Sequence, residues 1–535
     1  MPRKSPLIAI GLLCAAMQLA AQPNVLTWKY NNTRLGVNSS ETTLTPANVN
    51  SSTFGLLFHI YPQFGKPDPQ PLYVSNLSVA GVKHNVIFME TEMDYALAFD
   101  ADTGVELWKS RVLLPGEVPS DDRGVGSVTP TIGVTATPVI DLSMGPHGTE
   151  YLVAMSKDAS GNYHHRLHAL DITTGAEEFS GPVEIAATAP GTGPNSINGQ
   201  QVFNPAQLKE QAALTLVNGT IITTWSSQDD TAPYNGWVLG YNEQTLAQTQ
   251  VWCVTPNGKS ASIWMSRAGP AADASGNIYL LTANGTFDTK LNAQGFPSMQ
   301  DYGNSMMKMS ISGSTFTVED YFAMHNVTYE VNHDLDFGSG GIMLLPPLTG
   351  AAGMKNLVVG AGKDMTIYLA DTTNLGKFNA TTDQIYQEVP DAYTGIEYAS
   401  PTFFNGYLYY AATKDVVRVF QMQNALINPT TPVATGTTAI QLQGMNLIVS
   451  ANGASNGILW GIENQGNKTQ VLHAYNATSF NNGVLTELYN STQAPNGRDT
   501  FGVGDHFATP IVINGKVYAG SANGFGVFGL LPPAK

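Results

Sequence analysis

Short runs of alternating apolar and polar residues fill most of this chain, and tight turns join them in pairs. "SPTFFNGYLYYAAT", "TPIVINGKVYAGSANG" and "GPAADASGNIYLLTANG" share one plan: a Pro with apolar residues, a turn, then a Tyr-containing run. A period of two puts alternate side chains on one face, which reads as half-buried strand. Asn-Gly between such runs is a strong hairpin signal, because both central positions of the turn need positive φ. "ALAFDADTGVELW", from Ala96 to Trp108, and "LHALDITTGAEEF", from Leu167 to Phe179, repeat another set of parts in one order. Helical periodicity is weak, and is suggested only near Asn204 to Leu214.

The repeated hairpins predict an all-β fold built as a single β-propeller. Candidate inner strands begin near Gln70, Thr137, Ala212, Gly269, Ile342, Ser400, Ser450 and Thr509. Their spacing of roughly 50–75 residues fits blades of several strands joined by long loops. Eight four-stranded blades is the favoured count, with seven as the alternative. The last unit, Thr509 to Leu531, holds only three strands, and "STFGLLFHIYP" near the start of the chain can supply the fourth. Closing the ring with an N-terminal strand removes its free sheet edges. On this reading residues 22–535 form one propeller domain.

Composition narrows the function classes. Hydrophobic residues make up 43% of the 535, with 53 Gly and 31 Pro, a globular and turn-rich profile. The formal charge of −16 argues against nucleic acid or an anionic membrane surface as partner. The start, "MPRKSPLIAIGLLCAAMQLAAQ", has basic residues, a short apolar run and small residues, the layout of a secretory signal over residues 1–21. Export to the periplasm or beyond is expected, with no membrane span. Removal of the signal takes Cys14 with it. Cys253 then has no disulfide partner, and no Cys-x-x-Cys-His haem site or multi-cysteine zinc site can form. No nucleotide phosphate loop or His-Glu-x-x-His motif is present.

"AFDADTGVELW" and "ALDITTGAEEF" resemble the repeat of pyrroloquinoline quinone (PQQ) dehydrogenases and their non-enzymatic relatives. The opening "VLTWKYNNTRLGVNSSETTLTPANV" resembles the start of those enzymes' mature chains. The resemblance implies a quinone stacked on a tryptophan, beside a calcium ion acting as Lewis acid and an Asp acting as base. "SIWMSRAGPAADASGNIYLLTANGTFD" puts Trp264 at the stacking position and Asn284 at a calcium-ligand position. "QDYGNSMMKM" puts Asp301 at the catalytic Asp, where it would also reach the metal, and "GAGKDMTIYLADTTNLGKF" puts Lys363 at the basic residue facing the quinone. Arg123 in "DDRGVGSV" stands near the expected arginine, and "NHDLDFGSGGIMLLP", with Asp334 and Asp336, resembles the family's next inner strand. Two departures stand out. Asp158 is the acid offered where the family has its calcium-binding Glu, and the adjacent cysteine pair that covers the quinone is missing.

Each position also has an ordinary reading. Trp264 can fill the inner layer, Asn284 precedes Gly285 in a turn, Asp301 lies in a polar loop, and Lys363 can bury its stem beneath an exposed head. His164, Arg166 and His168 share one strand face, a pattern common without any ligand. Asp505, His506 and Glu397 sit just before inner strands, at the loops where propellers bind ligands. The function expected is an exported PQQ-like propeller serving as a scaffold for a small-molecule ligand or a protein partner. The alternative is a PQQ- and calcium-dependent dehydrogenase of alcohols or sugars.

Overall fold

The structure, a computed structural model, describes residues 24–124, 126, 128–466 and 468–533. The expected signal, residues 1–21, lies outside the described residues. Regular structure is almost entirely strand, organised in antiparallel groups of four. Their first strands are Leu72–Val79, Val139–Asp141, Thr215–Val217, Ala271–Ala272, Ile342–Leu344, Thr402–Phe404, Ile448–Asn452 and Ile511–Ile513. These starts follow the hydrophobic pattern closely; the largest offset, from 212 to 215, is three residues. The Asn-Gly turns take the expected form: Asn405 and Gly406 have φ of 49° and 81°, and Asn514 and Gly515 have 50° and 72°.

The weak helical signal near Asn204 to Leu214 is not a helix. Leu208–Glu210 is a short strand paired with Trp225–Ser227, so the backbone bonds of that stretch are met across a sheet. Among the described residues the α-helix is a single short one at Val327–Asn332.

Strand Phe54–Ile60 pairs antiparallel with Gly524–Leu530, completing the group that holds the last strands of the chain. The two ends of the sequence thus meet in one ladder, and the ring has its closing strand near the N-terminus. Phe54 is fully buried there, against Trp460, Tyr489 and Phe528.

The segment before that strand fixes the centre. Val25 pairs with Tyr73, and the carbonyls of Leu26, Asn32, Thr33, Leu35 and Gly36 accept from the amides of Ile140, Ala272, Leu344, Phe403 and Val449. Asn32 Nδ2 donates to the Leu216 carbonyl and Asn38 Nδ2 to that of Val512. A stretch from Val25 to Asn38 that touches the first strand of every group can only cross the ring axis. It plugs the channel.

Two buried cations hold the plug. Arg34 donates to the carbonyls of Pro270 and Trp28 at 3.0 and 2.9 Å, and to the Thr27 and Thr215 hydroxyls at 2.9 and 2.6 Å. Lys29 Nζ donates to the Ser400 and Pro401 carbonyls and the Thr402 hydroxyl at 3.0, 2.8 and 3.1 Å. Neither contacts a carboxylate directly. Carbonyl dipoles aimed inward by the inner strands replace part of the lost hydration, and burial still lowers both groups, Lys29 well below its ordinary pKa and Arg34 to about 9.

Arg34→Ala is expected to lower stability by at least ~3 kcal/mol, since it removes several charge-assisted hydrogen bonds at ~1.5 kcal/mol or more each. A urea-denaturation midpoint measures this, and a midpoint unchanged from the parent would show that the ring closes without that anchor.

Candidate functional site

The inner segments that reach the plug carry two further layers above it. One runs from Trp264 and Ser266 through Arg267 to Pro270, which Arg34 contacts. Another runs from Asp505 and Phe507 to Thr509, whose hydroxyl accepts from Trp28 Nε1 at 3.2 Å. A third runs from Lys66 and Asp68 to Gln70, which accepts from the Lys29 amide at 3.0 Å. Repetition of this descent stacks a pocket, an ionic layer and the plug along the channel.

The ionic layer is largely enclosed: Asp68, Arg267 and Asp505 are buried and Lys66 is half-buried. Lys66 Nζ lies 2.7 Å from Asp68 and 2.6 Å from Asp505, and Arg267 lies 3.0 Å from Asp68. Burial works against every one of these charges. Even so, Arg267 and Lys66 hold the Asp68 carboxyl well below its ordinary pKa, and Asp505 and Asp68 hold Lys66 above its own. Glu92, buried beside Asp68, is pushed well up, first by burial and then by that neighbour. It accepts from the Gly133 amide at 2.7 Å and from the Thr135 hydroxyl at 3.0 Å. The layer makes a rigid, nearly charge-balanced floor.

Above it opens a pocket of about 260 Å³, lined by Gln211, Asp229, Asp230, Trp264, Ser266, Asp336, Ser339, Lys363, Tyr398, Gln443 and Phe507. Its strained wall is Met265, Ser266 and Arg267, all in the left-handed region with φ of 42°, 46° and 70°. Such non-glycine residues cost ~1–3 kcal/mol each and cluster at functional sites. Here the twist puts Ser266 on the pocket wall while Arg267 points into the ionic layer. The Ser266 hydroxyl donates to the Ser339 carbonyl and ties the wall to the next group.

One edge of the pocket is a compact polar cluster. The Asn284 amide donates to Asp336 Oδ1 at 2.8 Å and its side chain to Asp334 at 2.9 Å. Lys363 Nζ lies 2.9 Å from Asp334, 3.5 Å from Asp336 and 5.9 Å from the Tyr398 ring centroid. Burial raises the Asp336 carboxyl to about 6, against the lowering pull of Lys363 and of the Asn284 hydrogen bond. Asn284 Oδ1 is buried and has no hydrogen-bond partner among the described residues. Across the pocket, Lys209 Nζ lies 6.0 Å from the Trp264 ring centroid and 4.0 Å from Asp229.

The structure thus brings Trp264 and Lys363 together in the lining of one pocket, with Asn284 behind that lining, bonded to Asp336. The other positions singled out from the sequence lie elsewhere. Asp301 is absent from the lining; its carboxylate accepts from the Asn257 and Gly258 amides at 2.9 and 3.0 Å, and burial raises it to about 6. Asp158 closes an exposed turn, accepting from the Ser160 and Asn162 amides at 2.8 Å each. Arg123 donates to the Ala206 carbonyl and lies over the Tyr163 ring, 4.7 Å from its centroid. His164 and Arg166 contact Glu184, and His168 contacts Glu177.

Asp336 was noted in the sequence only beside its strand, and Asp229, Asp230, Gln211 and Gln443 carried no motif. The loops holding Glu397, Asp505 and His506 were singled out, yet their neighbours Tyr398 and Phe507 line the pocket. Glu397 and Asp505 are buried, and burial pushes both carboxyls up, Glu397 to about 8.

No family model matches the chain, and neither does any curated protein sequence. Among solved structures it is similar to the quinohemoprotein alcohol dehydrogenase of Comamonas testosteroni. The TM-score is 0.59 at 12% identity, over 95% of this chain and 80% of that one. It is equally similar to quinohemoprotein alcohol dehydrogenase ADHIIG of Pseudomonas putida, with TM-score 0.59 at 11% identity, over 96% and 81% of the two chains. At such identities the likeness establishes the fold alone: this is a β-propeller.

Asp336 offers a direct check of the pocket's electrostatics. Its carboxyl is expected to titrate near pH 6 by carbon-13 NMR, and Lys363→Met is expected to move that midpoint upward. The folded-state pKa lies above the unfolded value, so the folded state binds this proton more tightly. The group therefore adds stability as pH falls from about 6 toward its unfolded pKa near 4, and costs stability above pH 6. An unmoved midpoint in Lys363→Met would separate the two groups.

Proposed function

We propose that this chain is an exported PQQ-like propeller of eight blades, spanning residues 22–535, that holds a small ligand at the pocket above its ionic floor. Export rests on the amino-terminal pattern over residues 1–21. The blade count rests on the first strands that the plug touches in turn. Binding rather than catalysis rests on one observation: the pocket's acids are already engaged. Asp336 is held by the Asn284 amide and Lys363, while Asp301 caps backbone amides away from the pocket. Asp229 lies 4.0 Å from Lys209 Nζ and Asp230 accepts from the Tyr234 hydroxyl at 2.7 Å, so among the described residues each carboxylate lining the pocket already has a partner.

The donor set also does not fit calcium. The ion takes about six to eight oxygen ligands. The pocket edge supplies the unpartnered Asn284 Oδ1 and an Asp336 carboxylate that already faces an ammonium. Among the described residues no group of three or more His, Cys, Asp or Glu converges to hold a metal. PQQ itself carries three carboxylates. A lining with Asp229, Asp230 and Asp336 against Lys363 disfavours such a polyanion. A neutral or cationic ligand suits the pocket better, with Trp264 and Tyr398 as flat surfaces.

The quinone dehydrogenase remains the second reading, favoured by Trp264, Lys363 and the orphaned Asn284 oxygen at one site. Calorimetric titration of the full mature chain with PQQ, with and without calcium, separates the two. The binding reading expects no saturable quinone heat and no calcium dependence. Calcium-dependent binding near one site per chain, lost in Trp264→Ala, would establish the dehydrogenase reading instead.

A further inference from the structure

A second cavity shares no lining residue with the pocket at the channel mouth and has a different chemistry. Strands Gln248–Cys253 and Thr315–Ala323 end neighbouring groups of four and run parallel, meeting only at Val251 and Thr315. Between them lies a groove of about 410 Å³. Its aromatic wall is the half-buried Trp252 and Phe296, backed by the buried rings of Tyr302 and Phe316; the Trp252 and Tyr302 ring centroids are 6.0 Å apart and their planes 47° apart. Its polar groups are Asn292, Ser298, Gln300, Thr315 and Thr317. Among the described residues no charged side chain lines it, while Lys377 Nζ lies outside the lining, 4.2 Å from the Phe296 ring centroid.

We propose that this groove binds a neutral saccharide. The argument is one of matching chemistry. Aromatic faces carry negative charge and attract the weakly positive C–H face of a pyranose ring, while amides and hydroxyls exchange hydrogen bonds with sugar hydroxyls. An uncharged lining gives nothing to pair with a phosphate, a carboxylate or an ammonium group, and buried charges without partners are costly. The Tyr302 hydroxyl and the side chains of Gln300 and Thr317 make no hydrogen bond within the described residues, and Gln300 and Thr317 are exposed.

The site is also built in advance. The loop that forms one wall, residues 289–301, is pinned at both ends. Asp288 accepts from the Ser298 hydroxyl at 2.9 Å and the Met299 amide at 2.7 Å. The Tyr321 hydroxyl donates to the Gly295 carbonyl at 2.9 Å, and Lys377 Nζ donates to that of Gln294 at 2.8 Å. The charges of Asp288 and Lys377 are spent holding the loop. A rigid loop spares the ligand the cost of ordering it.

Saturation-transfer difference NMR on the full mature chain tests this, with methyl glucoside, maltose, cellobiose and lactose at millimolar concentration. Transfer to the ring C–H protons of at least one sugar is expected, with affinity falling at least about tenfold in Trp252→Ala. Gln300→Ala, an exposed change that leaves the fold intact, is expected to weaken binding, and Trp264→Ala to leave it unchanged. Glucuronate and glucosamine, similar in shape but charged, are expected to bind more weakly. No transfer from any neutral sugar, or transfer that survives Trp252→Ala and Gln300→Ala, would overturn the proposal. So would transfer abolished by Trp264→Ala, which would move the sugar to the channel mouth.

Discussion

The structure depends on carbonyl groups that converge on two buried cations at the ring axis. Inner strands of a propeller run side by side toward the channel, and their ends leave backbone oxygens with no ladder partner. Lys29 and Arg34 collect those from Pro270, Ser400 and Pro401, and the plug amides and carbonyls pair with the rest. Unpaired, each oxygen would carry the cost of a lost hydrogen bond in a dry interior. One short segment therefore satisfies groups from every part of the ring, and joins strands hundreds of residues apart in sequence.

A channel blocked at one end shapes what the other end can do. With the plug below and the Lys66–Asp68–Arg267–Asp505 layer upon it, the pocket at the mouth is blind, and any ligand enters and leaves on one face. Charges in the floor balance one another, so the pocket's own side chains set its selectivity. There the acids outnumber the cations, and both lysines near the pocket sit close to aromatic rings. The pocket carries Trp264 and Lys363, and Lys363 is paired with Asp334 and Asp336.

The hydrophobic pattern made the ring legible because hairpins are local. Alternation and Asn-Gly turns act over a dozen residues, and the closing strand announced itself as an apolar run with no partner nearby. The plug was not legible: "WKYNNTR" has no period, and nothing in it says that Lys29 and Arg34 will be buried rather than solvated. The pocket was half legible. Trp264, Asn284 and Lys363 came from resemblance to a family motif, and the loops before Tyr398 and Phe507 from their place ahead of inner strands. Asp229, Asp230, Gln211 and Gln443 meet only because the ring closes, which no local pattern records. Asp301 shows the converse: the resemblance implies a catalytic position, while in the structure its carboxylate caps the Asn257 and Gly258 amides outside the pocket lining.

Native-state hydrogen exchange at the plug tests most directly whether the ring is organised around its axis. The amides of Ile140, Ala272, Leu344 and Val449, which donate to plug carbonyls, are predicted to exchange only by global unfolding, with one common free energy and one denaturant dependence. Exchange of these amides at separate, lower free energies, while the outer hairpins stay protected, would contradict the account. The plug would then be an addition to a ring that stands without it.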